Sequence, residues 1–221
     1  MDLDIFYRLR WIDTGGGPHL LLAEESLSSW GGIGDREDED EDPDDSPDPS
    51  DYTRACRLTD RMVGVIPCGD GDALVLAGVP NGNIAWIPTL GRSGGFLAQP
   101  LHVVDETDLR STLLSSLVAE ALNGPGAEKA CFSTGSSGVM RLFDSALAGH
   151  FLGAPRAQIK VRDLAPHLPP GALPSRNAIV PDGVLALEPG RYQMRAAFVK
   201  TDNLEIVVRE ITRDADSPEF S

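Results

Sequence analysis

Four histidines, three cysteines and one serine and glycine run are the residues of this chain whose types could carry chemistry. His19, His102, His150 and His167 stand far apart, and none sits at the spacing of a metal or nucleophile motif. A hydrolytic Ser, His and Asp site would therefore have to assemble from distant segments. Otherwise His102 reads as a strand residue with a satisfied ring, and His150 as a favourable charge near a helix C-terminus. Cys56, Cys68 and Cys131 are odd in number and contain no C-x-x-C pair, so Cys56 and Cys68 read as small buried thiols of a reduced protein. In "FSTGSSGVMRLF", Gly and Ser precede an apolar run, an arrangement that can turn backbone N–H groups towards a phosphate. It lacks the P-loop lysine and matches neither G-x-G-x-x-G nor G-x-S-x-G, and it reads instead as a helix start capped by Ser136 or Ser137. No metal and no cofactor is expected.

The other conspicuous chemistry is charge. Asp35, Glu37, Asp38, Glu39, Asp40, Glu41, Asp42, Asp44, Asp45 and Asp48, with Asp51, face the single Arg36, and this one stretch holds −10 of the chain's −15. Such a balance repels nucleic acid and anionic membranes and attracts a basic partner, which makes the ten acids of 35–48 a candidate partner-binding segment. Pro43, Pro47 and Pro49 interrupt it and no apolar residue lies within it, so it is expected to be a disordered insertion over 35–50. A domain accepts such a loop at small cost, because closure entropy rises slowly with length.

The elements around these residues read as β-rich, since 23 Gly and 17 Pro punctuate short apolar runs. "YRLRWID" is a strand, "TGGGP" a turn and "HLLLA" its returning partner. "EESLSSWGG" is a short helical or irregular turn. "RMVGVIP", "DALVLAG", "NIAWIP" and "GFLAQPLHVV", separated by turn chemistry, suggest a four-stranded antiparallel meander. The spacing predicts a helix over 106–122, with Leu109, Leu113, Leu117 and Ala121 as its stripe and Leu114, Val118 and Leu122 beside them, and Asp105 or Thr107 as its cap. A second, weaker helix is predicted over 137–149. "QIKVRD", "GVLALEPGRYQMRAAFV" and "NLEIVVREIT" read as later strands, with Tyr192, Met194, Ala196 and Phe198 on one face. Trp11 and Trp86 read as core residues, whereas for Trp30 a core role and an exposed binding anchor both remain open. The fold class expected is α+β, mostly antiparallel β-sheet with one or two helices packed on it. Residues 1–212 form one domain in this reading, followed by a frayed tail over 213–221. The start lacks the basic then apolar pattern of a secretory signal, and no window has the roughly 18 apolar residues of a membrane helix, so a soluble, cytoplasmic protein is expected.

Several pieces, in order, resemble the immunity protein 21 family, the antidote proteins of bacterial polymorphic toxin systems. They are "WIDTGGGPHLLLAEESLSSWGG", "DYTRAC" and "ALVLAGVPNGNIAWIP", followed by Gly94-Gly95 and the closing "PGRYQMRAAF". The middle, from about 105 to 184, carries little of the likeness. The resemblance implies a mostly β, non-catalytic protein that binds a cognate protein toxin. It marks Trp11, Gly16, Gly17, Pro18, Trp30, Gly31, Asp51, Tyr52, Arg54, Cys56, Trp86 and Pro88 as motif residues, structural or binding. Arg54 could pair with a buried carboxylate, and Asp51 and Tyr52 could satisfy backbone groups. The acidic block departs from the family pattern by separating "SWGG" from "DYTRAC". A nuclease is one toxin such a block could occupy, as a phosphate mimic. The rival readings are a hydrolase with a non-local site and a general acidic binding protein for basic clients.

Overall fold

The computed structural model describes residues 11–12, 17–34, 50–78, 83–89, 93–101, 106–149, 152, 179–180, 182–202 and 204–214. In chain order the strands are β1 (Trp11–Ile12), β2 (His19–Ala23), β3 (Val63–Cys68), β4 (Gly71–Leu76), β5 (Ile84–Pro88), β6 (Gly94–Pro100), β7 (Glu128–Ser133), β8 (Val139–Asp144), β9 (Ile179–Val180), β10 (Asp182–Ala186), β11 (Arg191–Lys200) and β12 (Glu205–Arg213). A 3-10 helix (Glu24–Ser29) follows β2, and the α-helices are α1 (Asp51–Cys56), α2 (Glu106–Leu113) and α3 (Ser116–Asn123).

The strands form a seven-stranded sheet, ordered β7-β11-β12-β6-β5-β1-β9, and a five-stranded sheet, ordered β10-β8-β2-β4-β3. Among the described strands only the short β1–β9 pairing is parallel. The mostly antiparallel α+β class is therefore the one observed. Period-two alternation sends each strand's side chains to two different layers. Leu21, Leu74, Leu76, Met140 and Leu142 of the small sheet meet Trp86, Leu97, Tyr192, Met194 and Ile211 of the large one in a core between the sheets. The other face of the large sheet (Ala85, Ile87, Phe96, Ala197, Val208) packs under Leu109, Leu113, Val118 and Leu122 of α2 and α3. The other face of the small sheet (Leu20, Leu22, Val75, Phe143) packs under Leu27, Trp30 and Ala55. The order of layers is thus α2 and α3, large sheet, small sheet, then α1 with the 3-10 helix.

Several expectations are corrected by this arrangement. "HLLLA" does not return onto the first strand: β1 pairs with β5, while β2 lies between β4 and β8 in the other sheet. The tight loops do form hairpins, β3–β4 and β5–β6, but these lie in different sheets and not in one four-strand meander. Each run carries apolar residues on both faces, so pairing within a hairpin is local but the choice of sheet is not.

The stretch predicted as a helix over 137–149 is the β7–β8 turn followed by β8. Gly135 and Gly138 take φ of +71 and +70, which makes a turn rather than a helix start. β8 is then buried centrally between β2 and β10, and both neighbours complete its hydrogen bonding.

The predicted helix over 106–122 breaks at Leu114–Ser115, where Ser115 Oγ donates to Thr112 O at 2.6 Å. A four-residue step advances about 40° round a helix, so an unbroken stripe at that spacing drifts off the sheet. The break resets it: Leu109, Leu113, Val118 and Leu122 are buried, and Leu114 and Leu117 are exposed.

Phe198 departs from its predicted face partners, standing 48% exposed while Tyr192, Met194 and Ala196 are buried. It lies past the end of β7, whose last partner on β11 is Ala196. β12 runs to Arg213, one residue into the expected tail. The expectations for "QIKVRD", for Asp105 as cap and for His102, His150 and His167 fall outside the described residues, as does the segment 35–49.

Candidate functional site

The two motifs flanking the acidic stretch meet in space. Ser50 caps α1, its Oγ accepting from Thr53 N at 3.2 Å, and Asp51 follows in the first turn where a carboxylate suits the helix dipole. Asp51 Oδ2 accepts the Gly31 N–H at 2.8 Å, and Tyr52 N donates to Gly32 O at 3.0 Å. Asp51 Oδ1 also receives Arg54 Nη1 at 2.8 Å, while Arg54 Nη2 donates to Pro67 O at 3.0 Å. "SWGG" and "DYTRAC" are therefore tied to each other and to the end of β3. Both ends of the acidic stretch leave from this clasp.

Other motif residues converge on the same place. Trp30 is buried and its indole N–H donates to Ser145 O at 3.0 Å, so its role is core packing. Gly32 has φ of +64, and a Cβ there would lie 2.6 Å from Ala146 O. A Cβ on Gly17 would lie 2.8 Å from the Tyr52 ring, so the chain passes directly under that phenol. Pro18 is buried, and its carbonyl accepts Ser145 N. The Cys56 thiol one turn on, then burial and the Asp144 carboxylate, hold the Tyr52 phenol above its ordinary value. Cys56 is half-buried and, like Cys68 and Cys131, free. Burial and the Asp51 charge push the Cys68 thiol up against the opposing pull of Arg54.

Trp11, Trp86 and Pro88 lie elsewhere, as buried residues of the large sheet. Trp86 faces the small sheet and Trp11 faces α2 and α3. Gly16 and the ten acids of 35–48 lie outside the described residues. The Arg54 partner, Asp51, is part-exposed, with 20% of its side-chain surface open. Truncating the clasp by Asp51→Ala is expected to lower stability by about 1–2 kcal/mol, below the usual value for a charged hydrogen bond because water reaches the site. A urea titration reads the loss as a lower midpoint, and Asp51→Asn, whose amide oxygen still accepts from Gly31, is expected to recover part of it.

The "STGSSG" run does bind an anion, though one from its own chain. Glu25 accepts from Ser137 N at 2.7 Å and from Ser136 Oγ at 3.1 Å. Slight burial works to raise this carboxyl, and those serine donors outweigh it, holding it below its ordinary value. The Ser137 N–H, which could face a phosphate, is occupied by this carboxylate.

The sequence reading missed a polar cluster between the sheets. Arg209 is fully buried and donates to Met62 O at 2.8 Å, to Gln99 Oε1 at 2.9 Å and to Ala77 O. Burial lowers its pKa to about 9, partly countered by Glu128, so it stays charged at neutral pH. Glu128 Oε2 accepts Met62 N at 2.9 Å and Val63 N at 3.1 Å. The signal was present in "NLEIVVREIT", where Val207, Arg209 and Ile211 share one face at period two and two of the three are core residues.

Among the described residues no three His, Cys, Asp or Glu side chains form a group able to hold a metal, and no helix is long and apolar enough to cross a membrane. No curated protein and no solved structure matches the chain. A family model does match, over residues 10–205, and its span takes in the clasp, both sheets and the start of β12. By that match the chain belongs to the Immunity protein 21 family.

Proposed function

We propose that this protein binds a cognate toxin of a bacterial polymorphic toxin system and neutralises it in the cytoplasm of the producing cell. It acts by covering the toxin and not by catalysis. The observation that carries the reading is the family match over residues 10–205. The toxin has a basic surface in this reading, and a nuclease is the class that fits, because −10 of the chain's charge lies between Asp35 and Asp51. A stable block needs about 800 Å² of surface on each partner, and opposite charge speeds the encounter. The single domain over 1–212 is part of the proposal, since both sheets contribute to one core.

Co-expression with the toxin encoded beside it tests the reading. Survival is expected with this protein and death without it, and equal killing in both would end the proposal. Deleting residues 35–49 spares the Ser50 cap, and the clasp still joins Gly31 to Asp51. The shortened chain is therefore expected to fold, to associate with the toxin about tenfold more slowly or worse, and to lose most of the salt dependence of that rate. An unchanged rate would remove the acidic stretch from the mechanism and leave the immunity reading standing.

A further inference from the structure

Three polar side chains cross between the sheets in the core they share. His19 of β2 donates its Nε2–H to Ile12 O of β1 at 3.0 Å, from the small sheet to the large. Arg209 of β12 reaches back to Met62 O and Ala77 O, and Glu128 of β7 accepts from Met62 N and Val63 N. Register brings these ties to one end of the sandwich. His19 lies opposite Leu76, next to the Ala77 carbonyl that Arg209 holds, and Val63 also lies opposite Leu76.

His19 is fully buried, and among the described residues its Nδ1 has no hydrogen-bond partner. A proton added there would create an N–H without an acceptor and a second cation beside a guanidinium that is already fully buried. We infer that His19 makes the apposition of the two sheets acid-labile: its protonation parts the sheets at this end while the hairpins within each sheet persist. Few of the charged groups on the described elements around His19 face it, and Arg141 of β8 lies opposite Leu22 and pairs with Glu24 instead. β12 supplies Arg209, and β7 supplies Glu128, whose charge supports Arg209. β8 supplies Asp144, opposite His19 in register, whose Oδ1 accepts from Ala146 N at 2.9 Å. β1, β5 and β6 contain no titratable residue, and on β4 the only one is Asp72, at the end away from His19.

Burial first, and the Arg209 charge after it, depress the His19 ring to about 4 against the help of the Ile12 bond. The unfolded chain binds this proton at the ordinary value of 6.5, so the stability held in the neutral ring is complete above 6.5 and drains away as pH falls towards 4.

Acid titration of the full chain, followed by near-ultraviolet circular dichroism and by binding of an apolar dye, tests this inference. The wild type is expected to lose tertiary signal between pH 6.5 and 4 with strand signal retained. His19→Gln, whose amide can still donate to Ile12 O, is expected to move the midpoint down by about one pH unit or more. Equal midpoints for wild type and His19→Gln, or a shift seen with Glu128→Gln alone, would overturn it. Should His19→Gln not fold, the proton resonances of the wild-type ring decide: titration near 6.5 with the sheets still packed is the contrary result.

Discussion

Arg209→Met is expected to destabilise the protein by about 3–5 kcal/mol. Three acceptors, Met62 O, Ala77 O and Gln99 Oε1, receive hydrogen bonds from this guanidinium. Each bond broken between buried partners leaves a desolvated oxygen, at about 1–3 kcal/mol apiece. Glu128 loses the cation whose charge it faces, although its own bonds to Met62 N and Val63 N remain. Two terms act the other way: the cost of desolvating the guanidinium disappears, and methionine returns apolar volume to the core. The losses dominate, because the Ala77 carbonyl and the Gln99 amide oxygen stay buried whatever side chain replaces the arginine. Arg209→Lys is expected to recover less than half, since one ammonium cannot reach three acceptors placed for a planar fork. Urea unfolding at neutral pH, followed by circular dichroism, checks both variants. A methionine variant as stable as wild type would mean that desolvation had cancelled the three bonds.

Trp30→Ala is expected to cost a similar 3–5 kcal/mol for a different reason. The indole is buried between Leu20, Leu22 and Phe143 of the small sheet on one side and the α1 layer on the other. Its removal opens a cavity, and the Ser145 carbonyl loses the indole donor. The backbone here is fixed from both sides, with Trp30 N bonded to Leu27 O and Gly149 N to Trp30 O, so collapse into the cavity is limited. Trp30→Phe separates the two contributions by keeping most of the volume and losing the donor, and about 1–2 kcal/mol is expected. Thermal unfolding measures both. A wild-type melting temperature in the alanine variant would place Trp30 at the surface and reopen a role for it in binding.

The contrast between these residues shows what the chain reveals before it folds. Trp30 lay in a motif beside two glycines, and either packing or recognition could explain it. Its burial under α1 depends on the Asp51 to Gly31 tie between segments on opposite sides of the acidic stretch. Arg209 lay in an apolar strand at an inward position, a legible anomaly, yet its acceptors are remote in sequence, and two of them, Met62 O and Ala77 O, are loop carbonyls that no pattern marks.

Secondary structure divided along the same line. β11 and β12 were readable because period-two alternation and a short turn are local properties. The stretch over 137–149 was misread because Val139, Leu142, Phe143 and Ala146 also fit a helical stripe. Gly135 and Gly138 at positive φ and the open edges of β2 and β10 favoured the strand.

Strand and turn content, the concentration of charge between Asp35 and Asp51 and the family motifs were all present in the order of residues, because propensity, charge and motif spacing act over short range. The partition of strands between two sheets, the clasp joining Gly31 to Asp51 and the His19, Arg209 and Glu128 ties required the folded chain. Those features depend on which remote backbone groups end up adjacent in a buried, water-poor layer, and only the complete fold brings them together.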